Sequence, residues 1–400
     1  MITVVGIGDD GWDGLATPAR EAIAGAARIV GGTRHLDLVP ADATRAAREP
    51  WPSPMTPMLD DLARTADPVV VLASGDPMLH GVGASLARRA GPDRLHVLPA
   101  ASAWSLACAR LGWPMADTEL VSLVDRPIAR LLPALAPGRR LVVYVSDRHG
   151  ANDVAALLRD HGWGPTEMTI LEHLGGAHEQ VRATTADAHR GTAAQLHTLA
   201  LHCRAAPGAR VLGRTPGLPD DAFDHDGQLT KREARALTLA ALAPLPGELL
   251  WDIGAGSGSI GIEWLRTHPA MRAVGIEPRA DRADRARENA AALGVPHLDV
   301  VEGRAPAALA GLPAPDAIFV GGGLTAEGVL DACLSALRPG GRLVATAVTI
   351  ETEQVLIAAH AAHGGRLTRL AVSRAEPLGR FTAWRPHLPL TQWTLERPHA

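Results

Sequence analysis

Short apolar runs recur along the chain, and most of them lead into a glycine-rich turn and then into an amphipathic stretch. In the first half these runs occupy residues 2–8, 28–30, 68–73, 95–98, 141–145 and 167–171. Apolar runs of this length that are rich in Val and Ile predict buried strands. Strands that are each followed by a helix predict a parallel α/β arrangement. We therefore expect residues 1–112 and 113–205 to form two lobes of one N-terminal domain.

The second half has the same alternation at closer spacing. Its predicted strands lie at 249–253, 273–276, 298–301, 317–320, 342–347, about 366–373 and 381–384. Helices between the strands predict a doubly wound, Rossmann-like sheet, which we expect to end in an antiparallel hairpin. Residues 206–226 are rich in Pro, Gly and Asp and predict a linker between domains. The C-terminal domain then covers residues 227–400.

The strongest sign of a ligand site is the segment LLWDIGAGSGSIGIEW at residues 249–264. A strand, a glycine turn and a helix in this order let the backbone approach a ligand and point helix N–H groups at it. The spacing is G-x-G-x-G, so the dinucleotide fingerprint G-x-G-x-x-G is not met. Glu277 ends the next apolar run, where an acid can accept hydrogen bonds from ribose hydroxyls. The pattern predicts a nucleoside-bearing cofactor.

Composition excludes several classes of protein. The chain is 46% apolar, but no run approaches the eighteen residues of a membrane helix, and the first residues lack the basic region of a secretory signal. We expect a cytoplasmic protein. The net charge of −4 is spread without a Lys/Arg block, which argues against nucleic acid as a partner. Cys108, Cys203 and Cys333 are too far apart for a C-x-x-C pair, and no metal site is expected.

The second half resembles the class I S-adenosylmethionine methyltransferases. The matching pieces, in order, are DIGAGSG (252–258), Glu277, EGRA (302–305), DAIFVGGG (316–323) and LRPGGRLV (337–344). The resemblance implies that the cofactor contacts Thr230, Gly254, Ala255, Gly256, Ser257, Gly258, Glu277, Arg304 and Ala305.

The first half resembles the tetrapyrrole methylase (class III) family. The matching pieces are VVGIGDDG (4–11), ASGDPMLHG (73–81), PAASA (99–103) and ILEHLGG (170–176). The resemblance implies a second S-adenosylmethionine site that contains Gly8, Gly75, Asp76, Leu79 and Ser102. The first loop departs from the family, because Asp9–Asp10–Gly11 stands where proline and glycine are usual. In the family this loop lies towards the substrate.

A CbiE-like half joined to a CbiT-like half is similar to the layout of the decarboxylating precorrin-6Y C5,15-methyltransferases, the CobL type. This resemblance implies two S-adenosylmethionine molecules, one per domain, and a tetrapyrrole substrate. It implies methylation at C5 and C15 with decarboxylation of the C12 acetate, precorrin-6Y to precorrin-8X, in cobalamin biosynthesis. It also implies a homo-oligomer. The cobalt-precorrin version of the same step remains an alternative.

The segment around residue 230 and the last hairpin carry the remaining candidates. Thr230 and Glu233 have the spacing of a capping box, T-x-x-E, and we interpret Lys231 and Arg235 first as charges on the helix surface. The decarboxylation needs an electron sink, which the conjugated ring can be, and later a proton. The catalytic residues are not assigned from the sequence, and the candidates are Lys231, Arg374, Glu376 and Arg380. The arginine forks among them suit a substrate that carries many carboxylates.

Three other classes of function fit the sequence less well than a tetrapyrrole methyltransferase. A pyridine-nucleotide oxidoreductase fits the Rossmann-like pattern, but the fingerprint is imperfect. A nucleic-acid methyltransferase would carry an N/D-P-P-Y/F element at 316–323, which reads DAIFVGGG. A scaffold without activity is disfavoured because both cofactor motifs look complete.

Overall fold

The computed structural model describes residues 1–399 and divides into two compact units. The first unit comprises Met1–Ile128 and Ala134–Arg210, and the second comprises Ala129–Pro133 and Val211–Ala400. The last residue of the predicted C-terminal domain, Ala400, lies outside the described residues. From Val211 onward the predicted linker belongs to the second unit. The domain boundaries predicted from the sequence stay a prediction.

The first lobe of the N-terminal unit is a five-stranded parallel sheet with the order β3-β2-β4-β1-β5. Its strands are β1 (Ile2–Ile7), β2 (Arg28–Gly31), β3 (Ala47–Pro50), β4 (Val69–Ser74) and β5 (Leu95–Leu98). Its helices are α1 (Gly11–Gly14), α2 (Thr17–Ala24), α3 (Thr33–Asp37), α4 (Thr56–Arg64), α5 (Val82–Ala90) and α6 (Ala103–Leu111). Apolar side chains of β1, β2 and β4 are buried on both faces, as expected for a parallel sheet covered by helices.

The second lobe is a mixed sheet with the order β6-β7-β10-β8-β9. Its strands are β6 (Thr118–Ser122), β7 (Arg140–Tyr144), β8 (Glu167–Glu172), β9 (Gln180–Thr185) and β10 (His197–His202), and α7 covers Gly150–Asp160. β6 and β7 pair in parallel, and the other neighbouring strands of this sheet pair antiparallel. The strands β3, β6, β9 and β10 are not among those predicted from the sequence. β3 has only four residues and β9 is largely exposed, whereas β10 is a buried central strand of six residues.

The C-terminal unit is a seven-stranded sheet with the order β13-β12-β11-β14-β15-β19-β16. Its strands are β11 (Leu249–Ile253), β12 (Arg272–Glu277), β13 (Asp299–Glu302), β14 (Ala317–Val320), β15 (Arg342–Ala347), β16 (Arg366–Leu370) and β19 (Leu390–Glu396). The helices are α8 (Arg232–Leu242), α9 (Ser259–Thr267), α10 (Ala280–Ala292), α11 (Val329–Ala336) and α12 (Ile350–His363). The first five strands in this order are parallel, which confirms the α/β, doubly wound prediction.

The end of the chain differs from the predicted hairpin. β16 pairs with β19, whereas β17 (Ser373–Leu378) and β18 (Phe381–Pro386) form a separate two-stranded sheet. The sequence prediction joined the strands about 366–373 and 381–384 because they are neighbours along the chain. It missed Leu390–Glu396 as the strand between β15 and β16.

The start of α8 also differs from the prediction. Lys231 is the N-cap and makes no side-chain capping hydrogen bond, so the Thr230–Glu233 capping box is wrong. Glu233 instead forms an ion pair with Arg374 at 2.6 Å. Arg235 is fully buried, which corrects its interpretation as a surface charge.

Arg235 of α8 and Glu263 of α9 form a buried ion pair that attaches residues 217–218 to these two helices. Arg235 Nε donates to Glu263 Oε1 at 2.6 Å, and its NH2 group donates to the Leu218 carbonyl. The backbone N–H groups of Gly217 and Leu218 donate to the two Glu263 oxygens at 2.6 and 2.9 Å. These five groups thus satisfy one another, and loss of either charged side chain leaves the other charge without its ionic partner.

Among residues 1–399, no helix combines the length and apolar character needed to cross a membrane.

We predict that Arg235→Met lowers the free energy of unfolding by about 3–5 kcal/mol, because Glu263 is left as a buried, unpaired charge. Urea unfolding followed by circular dichroism measures this change. Arg232→Met, on the exposed side of the same helix, is the control and is expected to change it by less than about 0.5 kcal/mol. Equal effects of the two substitutions contradict the assignment.

Candidate functional sites

The glycine turn of the C-terminal unit lies at the carboxyl edge of the parallel strands. Gly254 has φ +76°, and a Cβ atom there would lie 2.8 Å from the Gly322 nitrogen in the loop after β14. Gly256 has φ +56°, and a Cβ there would meet no atom closer than 4.0 Å. The first glycine therefore allows close packing of two loops, and the second leaves open space beside a left-handed backbone.

Glu277, at the end of β12, is buried beside this turn. One carboxylate oxygen accepts the Gly256 N–H at 2.8 Å, and the other accepts the Arg279 N–H at 3.1 Å. Each oxygen of an ionised carboxylate has a second lone pair. The arrangement fixes the glycine turn and leaves acceptor capacity for hydroxyl groups of a ligand.

Asp252, near the end of β11, lies directly before the glycine turn and binds the helix that follows the turn. Its Oδ2 accepts the Gly261 N–H of α9 at 2.9 Å, and its Oδ1 has no partner in the structure. The pKa of Asp252 is raised to about 7, mainly by burial and also by the nearby charge of Glu277, and the Gly261 hydrogen bond opposes this rise. Asp252 thus connects the end of β11 to the start of α9.

The other residues predicted for this site lie on the surrounding loops. Ala255 N–H donates to the Ile276 carbonyl at 3.1 Å, and the Ser257 carbonyl accepts the Asn289 amide at 3.0 Å. Arg304 is exposed and Ala305 half-buried, both directly after β13. Gly258 is the N-cap of α9. Thr230 precedes α8, and its carbonyl accepts Arg235 NH1 at 2.5 Å.

The N-terminal unit contains a cavity of about 390 Å³. The residues predicted for the second cofactor site all line it: Gly8, Gly75, Asp76, Leu79 and Ser102. They follow β1, β4 and β5, whose carboxyl ends meet at one edge of the sheet. The opposite wall comes from the second lobe and includes Tyr144, Leu171 and Thr198. The volume is within the range of small-ligand sites.

A polar cluster from two loops and helix α3 lies at the wall of this cavity. Arg34 NH1 donates to Asp9 Oδ1 at 3.1 Å, and His173 Nδ1 lies 3.0 Å from Asp9 Oδ2. Burial lowers the pKa of Arg34, although the charge of Asp9 opposes this. Asp9 belongs to the segment Asp9–Asp10–Gly11, which departs from the family pattern, so part of this departure lies at the cavity wall.

Two further polar side chains of the cavity, His35 and Tyr144, form hydrogen bonds within the protein. His35 Nε2 lies 2.7 Å from Ser74 Oγ and 3.0 Å from Arg34 NH2, and burial together with the Arg34 charge lowers the pKa of His35 to about 4. Tyr144 Oη accepts the Trp104 N–H at 2.9 Å, and burial raises the pKa of Tyr144. These groups shape the wall.

The hairpin candidates differ in their surroundings. Arg374 donates to Asp220 at 3.0 Å and to Glu233 at 2.6 Å, which is an arrangement typical of a structural ion pair. Glu376 lies 3.4 Å from Arg385, and Arg380 stacks over the Phe381 ring at 4.9 Å. Among residues 1–399, no group of three or more His, Cys, Asp or Glu side chains could hold a metal ion.

That Asp9, Arg34 and His173 lie together is not predicted from the sequence. From the sequence, Asp9 is predicted only to depart from the family pattern, and His173 is only one residue of the matching segment ILEHLGG (170–176). The available signal was a carboxylate in the first loop together with a histidine directly after an apolar run.

Comparison with known proteins gives matches in both halves. Residues 1–189 match the family of Tetrapyrrole (Corrin/Porphyrin) Methylases, and residues 221–397 match the Precorrin methyltransferase domain.

Two relatives extend over the whole length. A precorrin-6Y C(5,15)-methyltransferase [decarboxylating] of Sinorhizobium sp is 51% identical over 98% of this chain and 95% of that protein. A protein of the same name from Mycobacterium tuberculosis is 45% identical over 99% of this chain and 100% of that protein. The crystal structure of the C-terminal domain of the Rhodobacter capsulatus precorrin-6Y C5,15-methyltransferase is 50% identical, covers 46% of this chain and 100% of its own, and has a TM-score of 0.44.

We predict that Asp252→Asn stabilises the protein without ligand, by an amount that depends on pH. Because the folded-state pKa of about 7 is above the usual 3.8, ionisation of Asp252 destabilises the fold. Stability of the natural chain is therefore lost between about pH 4 and pH 7, and the advantage of the variant grows over this window and is constant above it. Thermal unfolding from pH 4 to pH 8 measures the difference.

Asp331→Asn, at an exposed position in the first turn of α11, is the control for this experiment. An advantage of Asp252→Asn that is the same at pH 4 and pH 8 refutes the prediction.

Proposed function

The chain belongs to the family of decarboxylating precorrin-6Y C(5,15)-methyltransferases, and on that premise we propose that it methylates a precorrin macrocycle at C5 and C15 and decarboxylates one acetate side chain. The observation that carries the proposal is the 51% identity over 98% of the chain, because it includes both halves. Family resemblance places the step within cobalamin biosynthesis. Neither the cobalt-precorrin alternative nor the pyridine-nucleotide alternative is favoured by the relatives.

The proposal includes two S-adenosylmethionine sites, one in each unit. When bound, S-adenosylmethionine supplies an electrophilic methyl group. In the C-terminal unit, the open space at Gly256 and the remaining acceptor capacity of Glu277 fit a nucleoside. In the N-terminal unit, the cavity of about 390 Å³ and its five predicted residues support the second site.

The residues of each site bind and orient, since transfer of a methyl group to an electron-rich carbon depends mainly on alignment. Glu277 fixes the turn that faces the cofactor, and Asp252 fixes the first turn of the following helix. In the N-terminal unit both lobes supply residues to the walls of the cavity. One unit carries one methylation, and the other unit carries the second methylation with the decarboxylation.

Carboxylates of the macrocycle require cations that are not already paired. Arg374 is engaged by Asp220 and Glu233, so its proposed role is structural. Arg380 lies at the turn of the β17–β18 hairpin, exposed and against an aromatic ring. We therefore favour Arg380 as the hairpin residue that contacts the substrate.

We predict that the purified chain, incubated with precorrin-6Y and labelled S-adenosylmethionine, adds two methyl groups and releases one carbon dioxide, as read by mass spectrometry. The physical reason is that each unit contains its own donor site. Addition of only one methyl group by the full chain contradicts the proposal.

We predict that the chain binds two molecules of S-adenosylhomocysteine and that Asp76→Ala and Glu277→Ala each retain one. Each substitution removes a carboxylate that lines or supports one site. Loss of a hydrogen bond to a charged group weakens binding by about 10-fold or more. Titration calorimetry gives the stoichiometry.

Glu288→Ala, at an exposed position on α10, is the control and should bind two molecules. A single binding site in the natural chain, or two undisturbed sites in both variants, refutes the two-site proposal.

A further inference from the structure

The cavity of the N-terminal unit contains a histidine held by a carboxylate, and neither is among the residues proposed to bind the cofactor. His173 and Asp9 both line the cavity together with Gly8, Gly75 and Ser102. They come from different parts of the chain, Asp9 after β1 and His173 after β8. The contact between them therefore joins the two lobes at the wall of the site.

The contact with Asp9 places a proton on Nδ1 of the His173 ring. His173 Nδ1 lies 3.0 Å from Asp9 Oδ2, and the acceptor can be satisfied only by an N–H at that position. A neutral ring with its proton on Nδ1 has its lone pair on Nε2. Arg34 holds the other Asp9 oxygen at 3.1 Å, so the carboxylate is restrained from both sides.

The backbone around this pair is arranged to accommodate it. His173 has φ +51°, a left-handed conformation that is costly for a residue with a side chain and is common at functional sites. A Cβ atom at Gly176 would lie 2.4 Å from Asp9 Oδ2, so only glycine leaves room for the carboxylate. The segment after β8 is thus shaped around the Asp9 side chain.

We propose that His173 is the base that removes a proton from the ring carbon methylated by the N-terminal unit, with Asp9 as its positioning residue. This inference rests on the proposed function. The π electron pair of the ring carbon forms the new bond to the methyl group, and the electron pair of the broken C–S bond remains on sulfur. The ring then carries the positive charge. When the C–H proton passes to the lone pair of His173 Nε2, the electrons of the broken C–H bond restore the π system and cancel the positive charge of the ring. Water later takes the proton from His173.

The other three histidines of the cavity, His35, His80 and His197, lack this combination. His80 forms no hydrogen bond with a carboxylate among residues 1–399, and the charged side chain that acts on it is Arg126. Both sides of the His35 ring are committed, since Nε2 contacts Ser74 and Arg34 and Nδ1 is buried. His197 places Nδ1 at the Ala194 carbonyl, and its Nε2 is buried, so a proton taken there has no direct path to water. The His173 side chain is 33% exposed, which allows its proton to exchange with solvent.

His173→Ala tests the proposal in the full chain, with His178→Ala as the matched control. The His178 ring lies 6.2 Å from that of His173 and is exposed. We expect His173→Ala to lower kcat for one of the two methylations by about 10²–10⁴-fold, with little change in KM. Added imidazole should restore part of this rate, and the chain should still bind two molecules of S-adenosylhomocysteine by calorimetry. His178→Ala should act like the natural chain.

Asp9→Asn tests the positioning role. The amide can turn its NH2 group towards Nδ1 and select the wrong ring tautomer, so we expect a loss of kcat that imidazole does not repair. Two methylations at natural rates in His173→Ala, a loss confined to KM, or no response to imidazole would each overturn the proposal. If the natural chain itself adds fewer than two methyl groups, the proposed function fails instead.

Discussion

A carboxylate that bridges two loops at the carboxyl end of a parallel sheet is the interaction on which each candidate site depends. In the C-terminal unit, Glu277 joins the glycine turn after β11 to the loop after β12. In the N-terminal unit, Asp9 joins the loop after β1 to Arg34 and to His173. A carboxylate with two oxygens can hold two donors at once, and loops that carry no regular structure need such a partner to keep one conformation.

The frameworks beneath these loops are stabilised differently. Strands of both parallel sheets are buried on both faces by apolar side chains, and this burial supplies most of the stability. The C-terminal unit adds a buried pair, Arg235 and Glu263, which ties residues 217–218 to α9. Burial of such a pair is costly, so its role is to specify where the incoming chain lies.

Much of the fold could be predicted from the sequence, because strands buried on both faces give continuous apolar runs that end in glycine. Residues 249–253 are an example, and the structure has a strand with the same bounds. The failures arose where local patterns were overridden by distant partners. Glu233 has the spacing of a capping residue but pairs with Arg374, and Arg235 has the sequence context of a surface charge but meets Glu263. Leu390–Glu396 pairs across a long sequence separation that no local pattern reveals.

The same reasoning explains which parts of the sites could be predicted. Residues such as Gly256 and Ser102 can be recognised from the sequence because each belongs to a short motif of consecutive residues. The Asp9–His173 pair joins residues separated by 164 positions, so only the folded chain brings it together. The most direct test of two donor sites in one chain is a crystal structure with S-adenosylhomocysteine. The account predicts one molecule against Gly256 and Glu277 and another in the N-terminal cavity beside Gly75. A single molecule at saturating concentration, or binding elsewhere, would contradict it.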